Sequence, residues 1–259
     1  MKRKFFYIFI TVAFAAFSAA CAARTEAEPD WEKETVPAAE LVRQADELYA
    51  ERENLDKLRD ALALLKRARR ADSNNFEAAW KLAQASYFLG KYTTDEKESE
   101  KAFAEGINAA RIAVRLNPEK PDGHFWLGAN LGGEAEKSPF TKGVTAIGEI
   151  RSAMQKVIEI DPSYKAAAAY DALAQIELKG GFAGGKAEKA LEYLEKGFSL
   201  NRQNPYFYLH LAEANLALKR TAEAKKNLDE LLKMQPAPEF LPEFRDAERQ
   251  AKKLLEKKF

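Results

Sequence analysis

Between Asn204 and Ala237 the chain reads NPYFYLHLAEANLALKRTAEAKKNLDELLKMQPA, two short amphipathic runs separated by a polar break and closed by Pro236. The first run opens on Asn204, a side chain suited to capping the orphan amides of a helix start. Pro205 follows at the first helical position, where a missing amide hydrogen does no harm. Tyr208, Leu211, Ala212 and Asn215 recur at helical spacing, so one face is apolar apart from the asparagine. Ala224, Leu228, Leu231 and Leu232 repeat the pattern in the second run. Ala212 and Ala224 stand where the two helices cross, and larger side chains there would force the axes apart. Such a hairpin cannot bury its apolar faces alone and needs neighbours of its own kind.

Those neighbours precede it. From Leu211 a small residue follows at once, another comes thirteen residues after the leucine, an apolar residue seven later and a proline five further on. Leu48-Tyr49, Ala61, Ala68 and Ser73 keep these spacings within 42–75. Leu82-Ala83, Gly106, Ala113 and Pro118 keep them within 76–120 apart from 11 extra residues between the helices, a charged insert expected to lengthen both. Leu127-Gly128, Ile150, Val157 and Pro162 do so within 121–164 with 10 extra residues, among them the helix-start signal Ser138-Pro139. The unit 165–204 matches least, with Asp171 in place of leucine and Arg202 in place of proline, and 205–238 is the clean last copy. From Pro242 to Phe259, Phe244, Ala247, Ala251, Leu254 and Leu255 share one face and lysines gather in the last turn, as in a helix capping the stack.

This pattern resembles the tetratricopeptide repeat (TPR), a helical hairpin of about 34 residues. The expectation is an all-α fold over 37–259: a right-handed stack of about five TPR-like hairpins, with inserts in the middle repeats, a cap within 239–259 and each unit touching only its neighbours. No stretch carries the alternating apolar pattern of strands.

The first residues differ in kind. MKRK, an apolar run from Phe5 to Phe17 and the small residues SAAC have the order of a secretory signal, expected over 1–20, cleaved or kept as an anchor. Cys21, the single cysteine, follows Ala19-Ala20 where the lipobox of bacterial lipoprotein signals places its acceptor thiol, although Ser18 stands where that motif has leucine. That resemblance implies a lipid on Cys21 and a periplasmic chain held to a membrane, the outer one by preference. Residues 21–36, charged and without helical period, suit a flexible tether.

Losing Lys2, Arg3 and Lys4 with the leader leaves 38 basic side chains against 40 acidic, so nothing directs the chain to nucleic acid. GGFAGGK at Gly180 to Lys186 approaches a phosphate-binding loop, but Ala187 replaces the metal-binding hydroxyl and a helix rather than a strand precedes it, so it reads as a bend between helices. His124 and His210 have no ligand-spaced cysteine or carboxylate beside them and read as polar groove residues. With no nucleophile–base arrangement, the expectation is no enzyme, no metal and no cofactor.

Aromatic residues concentrate on the first helices of the hairpins, which the TPR resemblance places on the concave side. By helical phase the groove set is Trp80, Gln84, Tyr87, Phe125, Tyr170, Leu209 and Glu213. The stretches HFWLGANLG and GGFAGGKAEKALEYL, in a stack with enlarged middle hairpins, resemble the T-component family of TRAP transporters. More distantly, over Asn117 to Leu232, they resemble the repeat region of the regulator-of-microtubule-dynamics proteins. The first resemblance implies a lipid-anchored subunit partnering a periplasmic solute-binding protein. Three functions are therefore expected: a scaffold for a partner protein, accessory to solute uptake; a small organic ligand or lipid held in a cavity of the stack; or an envelope-assembly adaptor.

Overall fold

The computed structural model describes residues 35–137, 144–179 and 185–259. The leader, Cys21, the tether up to Glu34, Ser138-Pro139 and Gly180 to Gly184 lie outside the described residues. From Glu34 onward the chain is one compact unit.

Ten of the eleven α-helices among the described residues pair in chain order: α1 (Ala38–Ala50) with α2 (Leu55–Ala71), α3 (Phe76–Tyr92) with α4 (Glu96–Leu116), α5 (Pro121–Lys137) with α6 (Val144–Ile160), α7 (Tyr164–Lys179) with α8 (Ala187–Leu200), and α9 (Pro205–Ala217) with α10 (Thr221–Lys233). A short 3₁₀ turn, Pro238–Phe240, leads into α11 (Leu241–Lys258). The helix starts are chemically explicit: Asn54, Asn75, Asp95 and Asn204 each accept hydrogen bonds from amides of the following turn. The insert of the second hairpin extends the helices and not the connection. α3 and α4 run to 17 and 21 residues against 13 each for α9 and α10, whereas 93–95 links the first pair much as 218–220 links the second.

The expected all-α stack of five hairpins with a capping helix is what the chain forms. Leu211 and Ala212, Ala224, Leu228 and Leu231 are buried in the last hairpin, and the α11 alanines Ala247 and Ala251 close over them. Odd-numbered helices also pack on one another from hairpin to hairpin, α1 on α3, α3 on α5, α5 on α7 and α7 on α9, more closely than the even ones do. The stack therefore bends with the odd helices inside, and their free side forms a concave face.

One expectation fails. The units do not touch only their neighbours, because the cap reaches back to the first hairpins. Arg52, just past α1, lies 3.2 Å from both carboxylate oxygens of Glu243 on α11, and Arg245 of α11 bonds Glu53 at 2.8 Å. Curvature brings the ends together, and opposite charges meet there.

Candidate partner-binding face

The concave face is built outward from α3 and α5. Tyr87 on α3 packs edge-on to Phe88 and tilts against Trp126 at 5.8 Å, and Trp126 meets Phe125 in a T-shaped contact at 5.0 Å. Phe125 continues to Tyr164 at 5.5 Å, whose hydroxyl donates to Asp122 at 2.7 Å. Burial pushes the Tyr164 phenol pKa up, and its hydrogen bond to Asp122 adds to the shift. Aromatic ladders of this kind give area with a polar edge, the combination that dominates protein contact surfaces.

A polar network crosses from this ladder to the end of the stack. The Lys91 ammonium donates to the Tyr206 hydroxyl at 2.7 Å and pairs with Asp246 of α11 at 3.2 Å, while Tyr206 donates to the same Asp246 oxygen at 2.7 Å. Burial disfavours the Lys91 charge, but the phenols of Tyr87, Tyr206 and Tyr92 and the Asp246 carboxylate outweigh it and hold its pKa well above the ordinary lysine value. Burial likewise opposes the Asp246 carboxylate, and Lys91 with the Tyr206 hydroxyl pulls its pKa below the ordinary one. Tyr206 then stacks on His210 with rings 8° from parallel, and His210 Nδ1 lies 2.6 Å from the Asp171 carboxylate on α7.

This places the two histidines. His210 is buried and paired, not a groove residue, and Asp171, the apparent flaw of the fourth repeat, is its partner. Burial opposes the imidazolium, but the adjacent Asp171 carboxylate prevails and raises the His210 pKa. His124 Nε2 sits 2.8 Å from the Pro118 carbonyl. Among the described residues no group of three or more His, Cys, Asp or Glu side chains is arranged to hold a metal ion.

Of the expected groove set, Tyr87 and Phe125 come together through Trp126 and remain half-exposed, and Trp80 lies half-exposed on the same helix as Tyr87 with the Lys81 ammonium 5.4 Å from its ring. Tyr170 packs instead on the core of the fourth hairpin with Phe207, and Glu213 lies half-exposed near His210. Two members are corrected. Leu209 is 1% exposed inside the last core cluster, and Gln84 is 8% exposed, so neither can meet a partner. α9 packs against α7, α8, α10 and α11, and Leu209 lies on a side of it that these helices cover. Phase alone also missed Arg52, Lys91, Tyr164 and Lys165. Their role depends on how the stack curves, although a lysine beside a tyrosine at the ends of first helices was a visible signal.

Comparison with known proteins adds the following. The family model described as Regulator of microtubule dynamics protein 1-3 matches residues 41–170, half of the chain, and a tetratricopeptide-repeat model matches residues 182–241. Among solved structures the chain is similar to TTC0263, a thermophilic TPR protein of Thermus thermophilus, at 20% identity and TM-score 0.62, covering 84% of this chain and 98% of that one. It is also similar to pilF of Pseudomonas aeruginosa, at 16% identity and TM-score 0.56 over 85% and 92% of the two chains, and to the MamA protein, at 18% and 0.51 over 86% and 96%. At these identities the structural likeness establishes the fold. Comparison with curated proteins gives no match.

Proposed function

The chain belongs to the family described as Regulator of microtubule dynamics protein 1-3, and on that premise we propose that it is a scaffold whose concave face holds a segment of a partner protein. A TPR stack is suited to protein–protein contact. The observation that carries the reading is the half-exposed ladder of Tyr87, Phe125 and Tyr164 around Trp126, bordered by cations, on the inner side of the stack. Two open depressions among the described residues lie elsewhere, one beside Pro118 and Glu149 between α5 and α6 and one between α10 and Phe259. Neither lies between the inner helices, so a small ligand enclosed in the stack draws no support from them.

The same proposal sets the scaffold in the periplasm, tied to a membrane by a lipid on Cys21, and makes it an accessory of TRAP-type uptake with a solute-binding protein as partner. The leader, the position of Cys21 and the sequence resemblance support this finer reading. Two experiments test it. A photoreactive residue at Phe125 should crosslink the partner in cells while one at the outward-facing Lys225 does not, and equal labelling from both positions would refute the concave site. Cys21→Ser should release the protein from the membrane fraction and abolish palmitate labelling, and labelling that survives would refute the anchor.

A further inference from the structure

Lys165 is the second residue of α7, and it leaves the right-handed helical path. Its φ is 50°, and Ala166 and Ala167 follow at 56° and 60°, so three consecutive residues bearing a Cβ occupy the left-handed region. That conformation is strained for L-residues, and strain of this sort gathers at ligand clamps and switches. At this kink the Lys165 side chain lies beside the aromatic ladder. Its ammonium stands 5.9 Å from the ring centroids of both Trp126 and Tyr164, and the side chain stays exposed to solvent.

Other cations of this face are matched and Lys165 is not. Arg52 is held by Glu243, Lys91 by Asp246, and Lys81 by Asp46 and Glu77. Among the described residues Lys165 has no acid within ion-pair distance. The nearest candidates are engaged: Asp122 accepts the Tyr164 hydroxyl and Glu243 faces Arg52. The rings and helices around the amine partly desolvate it and lower its pKa, although the residue keeps solvent exposure.

We propose that Lys165, between the rings of Trp126 and Tyr164, receives an aspartate or glutamate side chain of the partner segment, with apolar neighbours of that acid resting on Phe125 and Tyr87. The inference rests on the scaffold reading above and names the chemistry of its ligand. One ammonium matches one carboxylate. A doubly charged phosphate would need a second unpaired cation and would meet Asp122 and Glu243. A chain-terminal carboxylate is the alternative anion, and the free-terminus probe below separates it from a side-chain acid.

The test uses the whole mature chain with its lysines ¹³C-methylated, a modification that keeps the charge; the Lys165 signal is identified by its loss in Lys165→Arg. Three probes are titrated: acetyl-Phe-Glu-Phe-amide, its Gln counterpart, and acetyl-Phe-Gln-Phe with a free terminus. The expected result is a shift of the Lys165 signal, and a rise in its titration midpoint, with the Glu probe alone. No shift at millimolar probe, equal shifts with Glu and Gln, or a shift confined to the free terminus overturns the proposal. Lys165→Gln should also weaken capture of the partner crosslinked at Phe125 roughly tenfold, the loss of one charge-assisted contact, at unchanged melting temperature, and Lys165→Arg should restore it. Undiminished capture by Lys165→Gln sinks this inference and leaves the scaffold reading standing, whereas failure of Phe125 to crosslink any partner sinks the scaffold reading itself.

Discussion

Gly106 lies inside α4 where that helix touches α5, and replacing it with alanine tests the packing that sets the stack's curvature. A Cβ built on Gly106 falls 2.0 Å from Asn130 Oδ1 and 2.4 Å from its Cγ, far inside any tolerated contact. Asn130 cannot simply step aside. It is fully buried, and its amide donates to the Ala83 carbonyl at 3.0 Å and to the Trp126 carbonyl at 2.7 Å, tying α5 to α3. Overpacking costs about 1–3 kcal/mol, and leaving a buried acceptor unsatisfied costs about 1–3 kcal/mol more. Against this, alanine is favoured over glycine in a helix interior by about 1 kcal/mol. The expected net loss is therefore about 1–5 kcal/mol, read as a lower midpoint in urea unfolding followed by circular dichroism. Gly148→Ala is the internal control, because a Cβ there meets nothing within 4 Å and the propensity gain should appear unopposed. Gly106→Ala combined with Asn130→Ala should cost less than the two single losses added, since the clash disappears with the amide. A Gly106→Ala variant as stable as Gly148→Ala would refute the close approach of α4 and α5.

Two further outcomes follow from the charged contacts. Arg52→Glu sets a carboxylate against the largely covered Glu243 and should cost about 3 kcal/mol, recovered in part by Glu243→Arg in the same chain; no recovery in urea melts would mean the two residues do not meet. The His210 pKa is raised in the fold, so the Asp171 pair stabilises fully below the ordinary histidine value of 6.5 and loses that contribution as pH rises through the folded pKa. The urea midpoint should therefore fall from pH 6 to pH 9 in the parent and lose this dependence in His210→Gln, and a parent midpoint flat over that range would contradict the pair.

The hairpins were legible because each carries its own signals: an asparagine or aspartate cap, a leucine–small pair, and small residues where helices cross. These are local, and local chemistry survives in a sequence read without coordinates. What stayed hidden depends on curvature. Arg52 and Glu243 are 191 residues apart, and nothing near either foretells the other. Asp171 looked like a degraded leucine position because its partner, His210, sits one hairpin away on α9. Leu209 was misplaced because α9 is apolar nearly all round, so its helical phase does not say which side faces out. On α3 and α5, where Lys81, Lys91 and Asp122 mark the polar edges, the same phase argument brought Tyr87 and Phe125 to one face but misplaced Gln84, which packs inward.

The closed concave face is tested most directly by a distance between its two ends. Spin labels at Glu51 and Glu248, in a chain whose Cys21 is replaced by serine, flank the Glu53–Arg245 contact and should give one short, narrow distance distribution in pulsed dipolar spectroscopy. An open stack of five hairpins, each about 10 Å from the next, would hold the labels roughly 40–50 Å apart. A short distance that lengthens in Arg52→Glu is the expected result. A long or broad distribution in the parent would contradict the closure on which the concave site depends.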